Sequence, residues 1–130
     1  MQKPCDKSGN NINQKIDTKK LAEEFILWFY KNINENINKL FPDIWKEYSV
    51  IDINGDKIKG INNIYIQMNA IFSQTRSDLK SFQYILNGSR SIIILVTGII
   101  TKNTIIKNFS AVFQLSHNNS WFIKNLMINI

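Results

Sequence analysis

NFSAVFQLSHNNSWFIKNLMINI, residues 108–130, is the stretch whose reading decides the fold. With a period of two, Phe109, Ala111, Phe113 and Leu115 share one face, as in an ordinary half-buried strand. After His117–Ser120, Trp121, Ile123 and Met127 alternate to one side, while Phe122, Leu126, Ile128 and Ile130 take the other. Both faces are therefore apolar. An antiparallel sheet in a small domain usually leaves one face to water, so the second face calls for a cover.

Working backwards, Ile105–Leu115, Ser91–Thr101 and Ser81–Leu86 read as strands, joined at Lys102-Asn103 and Asn87-Gly88. Upstream, SVIDINGDKIKG (residues 49–60) sets two short alternating stretches around Asn54-Gly55, the pair that best accepts the positive φ angles of a type I′ hairpin turn. Gly60 ends that hairpin. A helix is then expected with Ile61, Ile64, Tyr65, Met68, Ile71 and Phe72 on one face. Near the start, Asp17 or Thr18 caps a helix whose apolar positions Leu21, Phe25, Trp28, Phe29 and Ile33 recur at helical steps. Between these, Ile37, Leu40 and Phe41 read as a short helical turn interrupted at Pro42 and resumed through Ile44, Trp45 and Tyr48. Residues 1–16, polar and carrying Pro4 and Gly9, are expected to be a disordered tail, with one domain over residues 17–130. Helices before strands indicate an α+β fold: three N-terminal helices packed on one face of a bent antiparallel sheet.

The bulk numbers bound the function. One domain of 130 residues, 44% apolar and 12% aromatic, fills one core. The net charge of +6 permits an acidic partner such as RNA, but the Lys residues are scattered and Arg76 and Arg90 are the two Arg, which favours a solvated surface over a nucleic-acid footprint. RNA contact is thus expected to be indirect at most. Cys5 can form neither an internal disulfide nor a Cys metal site, in keeping with a reducing compartment. No stretch is long enough to span a bilayer, so a soluble intracellular protein without a membrane partner is expected.

Enzyme motifs are missing, and no cofactor or metal is expected. DINGDKIKG imitates the start of an EF-hand, with Asp52, Asn54 and Asp56 at alternate positions, but Lys57 stands where the turn needs Gly and Asn63 where the bidentate Glu belongs. His117, the single histidine, sits in a polar turn, and Asp52 reads as a turn residue, so neither is equipped for acid–base work.

The element order, with LAEEFILWFYKNI, INGDKIKG and the final meander, resembles the nuclear transport factor 2 family over nearly all of residues 18–130. The resemblance rests on Glu24, Phe25, Phe29 and Tyr30, on a V-x-G turn at Val96–Gly98, on Phe109, Phe113 and Leu115, and on Trp121, Asn125 and Met127. It implies a cone of bent sheet closed by three helices, with a non-enzymatic transport role. Phe25, Trp28, Phe29, Phe109, Phe113, Phe122 and Ile128 would fill the cone. Leu95, Thr97, Val112, Gln114, Ile123, Asn125 and Met127 match the positions of the family's dimer interface, a patch on the order of 800 Å² per partner.

Two transport branches follow from the resemblance. The importer of Ran-GDP is a homodimer that uses an acidic rim and an aromatic–acidic pair; here these positions read Ile53-Asn54 and Lys102-Asn103-Thr104. The neutral rim is more similar to the small messenger RNA export cofactors, which pair with the like-folded domain of an export receptor and help shape docking sites for phenylalanine-glycine nucleoporins. That branch implies residence in the nucleus, at the pore and in the cytoplasm. Distant relatives use the same cone as an isomerase or dehydratase with Asp and His in the cavity.

Overall fold

The chain from Asn11 to Glu35 forms one continuous helix, α1, against which much of the interior is assembled. In this computed structural model the described residues are 11–130 except Pro42 and Ser89, with side chains described from Thr18 onward. After α1 come a 3-10 turn (Ile37–Leu40), β1 (Trp45–Ile53), β2 (Asp56–Lys59), α2 (Ile61–Phe72), β3 (Arg76–Leu86), β4 (Ser91–Lys102), β5 (Ile105–Asn118) and β6 (Ser120–Asn129). The six strands form one sheet in the order β2-β1-β6-β5-β4-β3. No helix among the described residues is long and apolar enough to cross a membrane.

The α+β class stands, with three corrections. First, there are two α-helices among the described residues. Trp45 and Tyr48 belong to β1, because Trp45 and Val50–Ile53 pair with β6. Between Trp45 and Val50 the register slips, and Ser49 bridges the slip: its hydroxyl accepts from the Lys46 backbone N–H at 2.8 Å and donates to the Ile123 carbonyl at 2.6 Å. That anchoring holds the segment extended, whereas its apolar spacing alone also fitted a helix. Pro42, the expected break, lies outside the described residues. Second, β1 runs parallel to β6, so the sheet is mixed rather than antiparallel. Third, α1 begins at Asn11, so residues 11–16 are helical rather than tail and Asp17 and Thr18 lie inside the helix. No Gly or Pro interrupts residues 11–16, and nothing there stops the helix from extending. Residues 1–10 of the expected tail lie outside the described residues.

The Asn54-Gly55 turn is as read, with φ of 52° and 96°. Helix α2 buries Ile64, Met68 and Phe72. Helix α1 packs on β3 and, through its aromatic side chains, on β5, whereas α2 packs on β1 and β2. Asn34 pins α1 to β3 by donating to the Ser77 carbonyl at 2.8 Å and accepting from its N–H at 2.7 Å. An amide thereby satisfies the backbone of an edge strand as a neighbouring strand would.

Val96–Gly98 lies in the middle of β4 and is not a turn. Glycine is needed there for space: a Cβ at Gly98 would come within 2.4 Å of the Asp78 carbonyl oxygen and 2.6 Å of the Phe109 ring. The neighbouring β3 carries a register shift between Leu79 and Ser81, so strand and ring close in on the same point. Gly98→Ala is expected to lower unfolding free energy by about 1–3 kcal/mol, because backbone and ring must both move; urea titration followed by circular dichroism measures it.

Candidate docking face

The face of β4–β6 turned away from the helices is the candidate site, and strand register assembles it. Leu95 pairs with Val112, and Val112 with Met127, placing three apolar side chains in one row across β4, β5 and β6. They are 40%, 36% and 48% exposed, whereas the core neighbours Ile94, Phe113 and Leu126 are at most 1% exposed. Alternation along each strand thus separates a core face from an apolar outer row. Polar pairs flank the row: Asn125 Nδ2 donates to Gln114 Oε1 at 2.7 Å, and the hydroxyls of Ser81 and Thr97 lie 2.7 Å apart. Both pairs sit directly opposite in the ladder, so their polar groups are held at fixed positions beside the row.

One expected interface residue is elsewhere. Ile123 is fully buried in the core, because β6 inserts an extra residue, Lys124, between Ile123 and Asn125, which pair with the consecutive Leu115 and Gln114. The bulge reverses the alternation: Ile123 joins Leu126 and Ile128 on the core side, and Phe122 moves to the outer side. There Phe122 opposes Ser116, packs edge-on against Tyr48 at 5.9 Å and lies under Lys46 Nζ at 5.4 Å. Phe122 is only 3% exposed, but it is buried against Tyr48 and Lys46 on the outer side rather than among the rings of the interior.

Of the other expected interior residues, Phe25, Phe29, Phe109, Phe113 and Ile128 are in the core. Phe113 is the hub, with Phe29 at 5.0 Å and Phe25 at 6.0 Å, both edge-on. Trp28 is 37% exposed on the flank of α1, touching Phe25 at 6.0 Å. Its place in the helical stripe was ambiguous, since neighbouring Phe29 takes the inward direction.

Two large aromatic residues of the interior were missed. Tyr30 is 6% exposed and meets Phe29, Phe109 and Phe113; it stands four residues after Ile26, a spacing that marked it. Trp45, 2% exposed and stacked on Phe41 at 5.6 Å, was hidden by the helical reading of its segment.

Asp52 and His117 do not meet. Asp52 Oδ1 accepts the Gly55 N–H at 2.8 Å and so belongs to the turn, opposite Met127 on β6. His117 lies in β5 rather than in the turn, edge-on to Trp121 at 5.1 Å. Their β6 partners are six residues apart, about 20 Å at strand rise. Among the described residues no three His, Cys, Asp or Glu converge to hold a metal. An open depression of about 460 Å³, lined in part by Lys80, Thr97, Asn108, Ser110 and Asn129, marks one end of the outer face.

No protein-family model matches the chain, and no curated protein matches it in sequence. Solved structures do match. Nuclear transport factor 2 from Cryptosporidium parvum superposes with a TM-score of 0.76 at 19% identity, covering 85% of this chain and 92% of that one. The yeast Ubp3-associated protein Bre5 gives 0.71 at 18% identity, over 85% and 94%. A chain of the C. albicans Mtr2–Mex67 M domain complex gives 0.69 at 12% identity, over 85% and 93%. The fold is therefore that of nuclear transport factor 2-like proteins.

Burial raises the pKa of the Tyr30 hydroxyl far above its ordinary value of 10.0. The unfolded chain ionises first, so this hydroxyl favours the folded state below pH 10 and that contribution is lost as pH rises beyond it. Stability is expected to fall more steeply above pH 10 in the wild type than in Tyr30→Phe, measured by denaturant midpoints across the range.

Proposed function

We propose that this chain is a non-enzymatic partner subunit: a transport cofactor that pairs, through the outer face of β4–β6, with a like-folded domain of a messenger RNA export receptor. The observation that carries the reading is the row Leu95–Val112–Met127, exposed on the face opposite the helices and flanked by hydrogen-bonded polar pairs. An apolar centre with ordered polar groups beside it has the composition of a protein interface. Likeness to structures solved as assemblies supports this, namely Mtr2 with Mex67 and Bre5 with the deubiquitinase Ubp3.

The close packing of Phe29, Phe113 and Tyr30 in the interior supports binding over catalysis. The Ran-GDP importer is the weaker alternative. Ile53 is buried, and Asn54 accepts the Ile130 N–H at 2.8 Å, so the pair ahead of the turn is occupied in folding. Under the proposal the protein works in the nucleus, at the pore and in the cytoplasm. Contact with phenylalanine-glycine nucleoporins is made jointly with the receptor, and RNA is reached only through it.

Affinity capture of tagged protein from its own cells tests this, with Met127→Glu beside the wild type. Met127 is half exposed, so the variant should melt within about 2 °C of the wild type while losing roughly 100-fold in partner affinity. Recovery of an export receptor by the wild type alone is expected. Equal recovery by the variant, or recovery of Ran in its place, would contradict the proposal.

A further inference from the structure

The charge of this protein is unevenly distributed. Every Asp and Glu lies at or before Asp78, whereas residues 79–130 carry Lys80, Arg90, Lys102, Lys107 and Lys124 and no acidic side chain. Most of the net +6 therefore resides in the last 52 residues, the end of β3 and the β4–β6 meander. Such an asymmetry points to a polyanionic surface as partner.

Within that meander, the β4–β5 hairpin closes at Asn103-Thr104, with Asn103 at φ 57°. Ile105 and Ile106 follow at 60% and 66% exposure, the two highest among the exposed large hydrophobics described. Ile105 stands opposite Lys102 and Ile106 opposite Thr101, and Lys107 comes next. Being consecutive in a strand, the two isoleucines point to opposite sides of the ribbon. A protein groove would cover one of those sides. A lipid interface takes in both, while lysine stems lie along the apolar layer and their ammonium groups stay at the level of the phosphates.

The tip also lacks an aromatic ring on which a nucleic-acid base could stack. Asp78 on the neighbouring β3, the acidic residue nearest to this meander in sequence, is paired with Arg76 at 3.1 Å.

We propose that the β4–β5 tip is a peripheral docking point for an anionic lipid bilayer, with Ile105 and Ile106 entering the interfacial layer and Lys102 and Lys107 meeting the headgroups. The proposal is independent of the pairing reading, since the tip lies beyond the Leu95–Val112–Met127 row. It describes contact with a membrane surface and requires no spanning segment.

The test is flotation of the full chain with vesicles of phosphatidylcholine and phosphatidylserine, about three to one, against phosphatidylcholine alone. Binding to the anionic vesicles is expected, weakened by added salt. A drop of about tenfold is expected in Ile105→Ser/Ile106→Ser and again in Lys102→Glu/Lys107→Glu, with unchanged melting curves because all four side chains are exposed. Wild type that ignores anionic vesicles overturns the proposal. So does an isoleucine double variant that floats as well as wild type, since the attraction would then be that of any polycation. Binding of poly-glutamate through Lys102 and Lys107 without vesicle binding would assign the tip to an acidic protein segment instead.

Discussion

One extra residue in β6 governs how the two sides of the sheet are used. With Lys124 bulged out, Ile123, Leu126 and Ile128 all face the helices, while Phe122, Asn125 and Met127 face away. In unbroken alternation, Ile123 would share a face with Met127. The bulge lies beside the place where β1 slips its own register and Ser49 ties it to the Ile123 carbonyl. The irregularities of two neighbouring strands therefore meet at Ile123. The buried core around Trp45 and the exposed row around Met127 both depend on that junction.

The rest of the interior is built on aromatic contacts. Phe113 on β5 receives the edges or faces of Phe25, Phe29 and Tyr30 from α1, so one strand residue fixes the seat of the helix. Asn34 fixes its far end on Ser77. Because α1 and α2 cover the same side, the opposite side of β4–β6 is bare, and its exposed apolar row is the feature that a partner would cover.

Much of this was legible in the sequence, for definite reasons. The Asn-Gly turn, the α2 stripe and the strands of the meander each have a local cause, either positive φ or regular alternation. The class of fold and the outward direction of Leu95, Val112 and Met127 followed from them. What failed was non-local. The bulge at Lys124 left no mark in the alternation of residues 120–130, so Ile123 and Phe122 were assigned to the wrong faces. The strand at Trp45 exists because β6 lies beside it, and nothing within residues 44–48 reveals that neighbour. The need for glycine at position 98 left no local mark either, because its cause, the Phe109 ring, is 11 residues away.

Methionine oxidation by hydroxyl radicals tests the central claim most directly, comparing the isolated chain with the assembly recovered from cells. Met127 is 48% exposed and Met68 fully buried, so the second serves as an internal control for unfolding. If the outer face is the pairing surface, Met127 is protected in the assembly and reactive in the dilute chain, while Met68 is slow in both. Equal oxidation of Met127 in an intact assembly would place the partner on another surface.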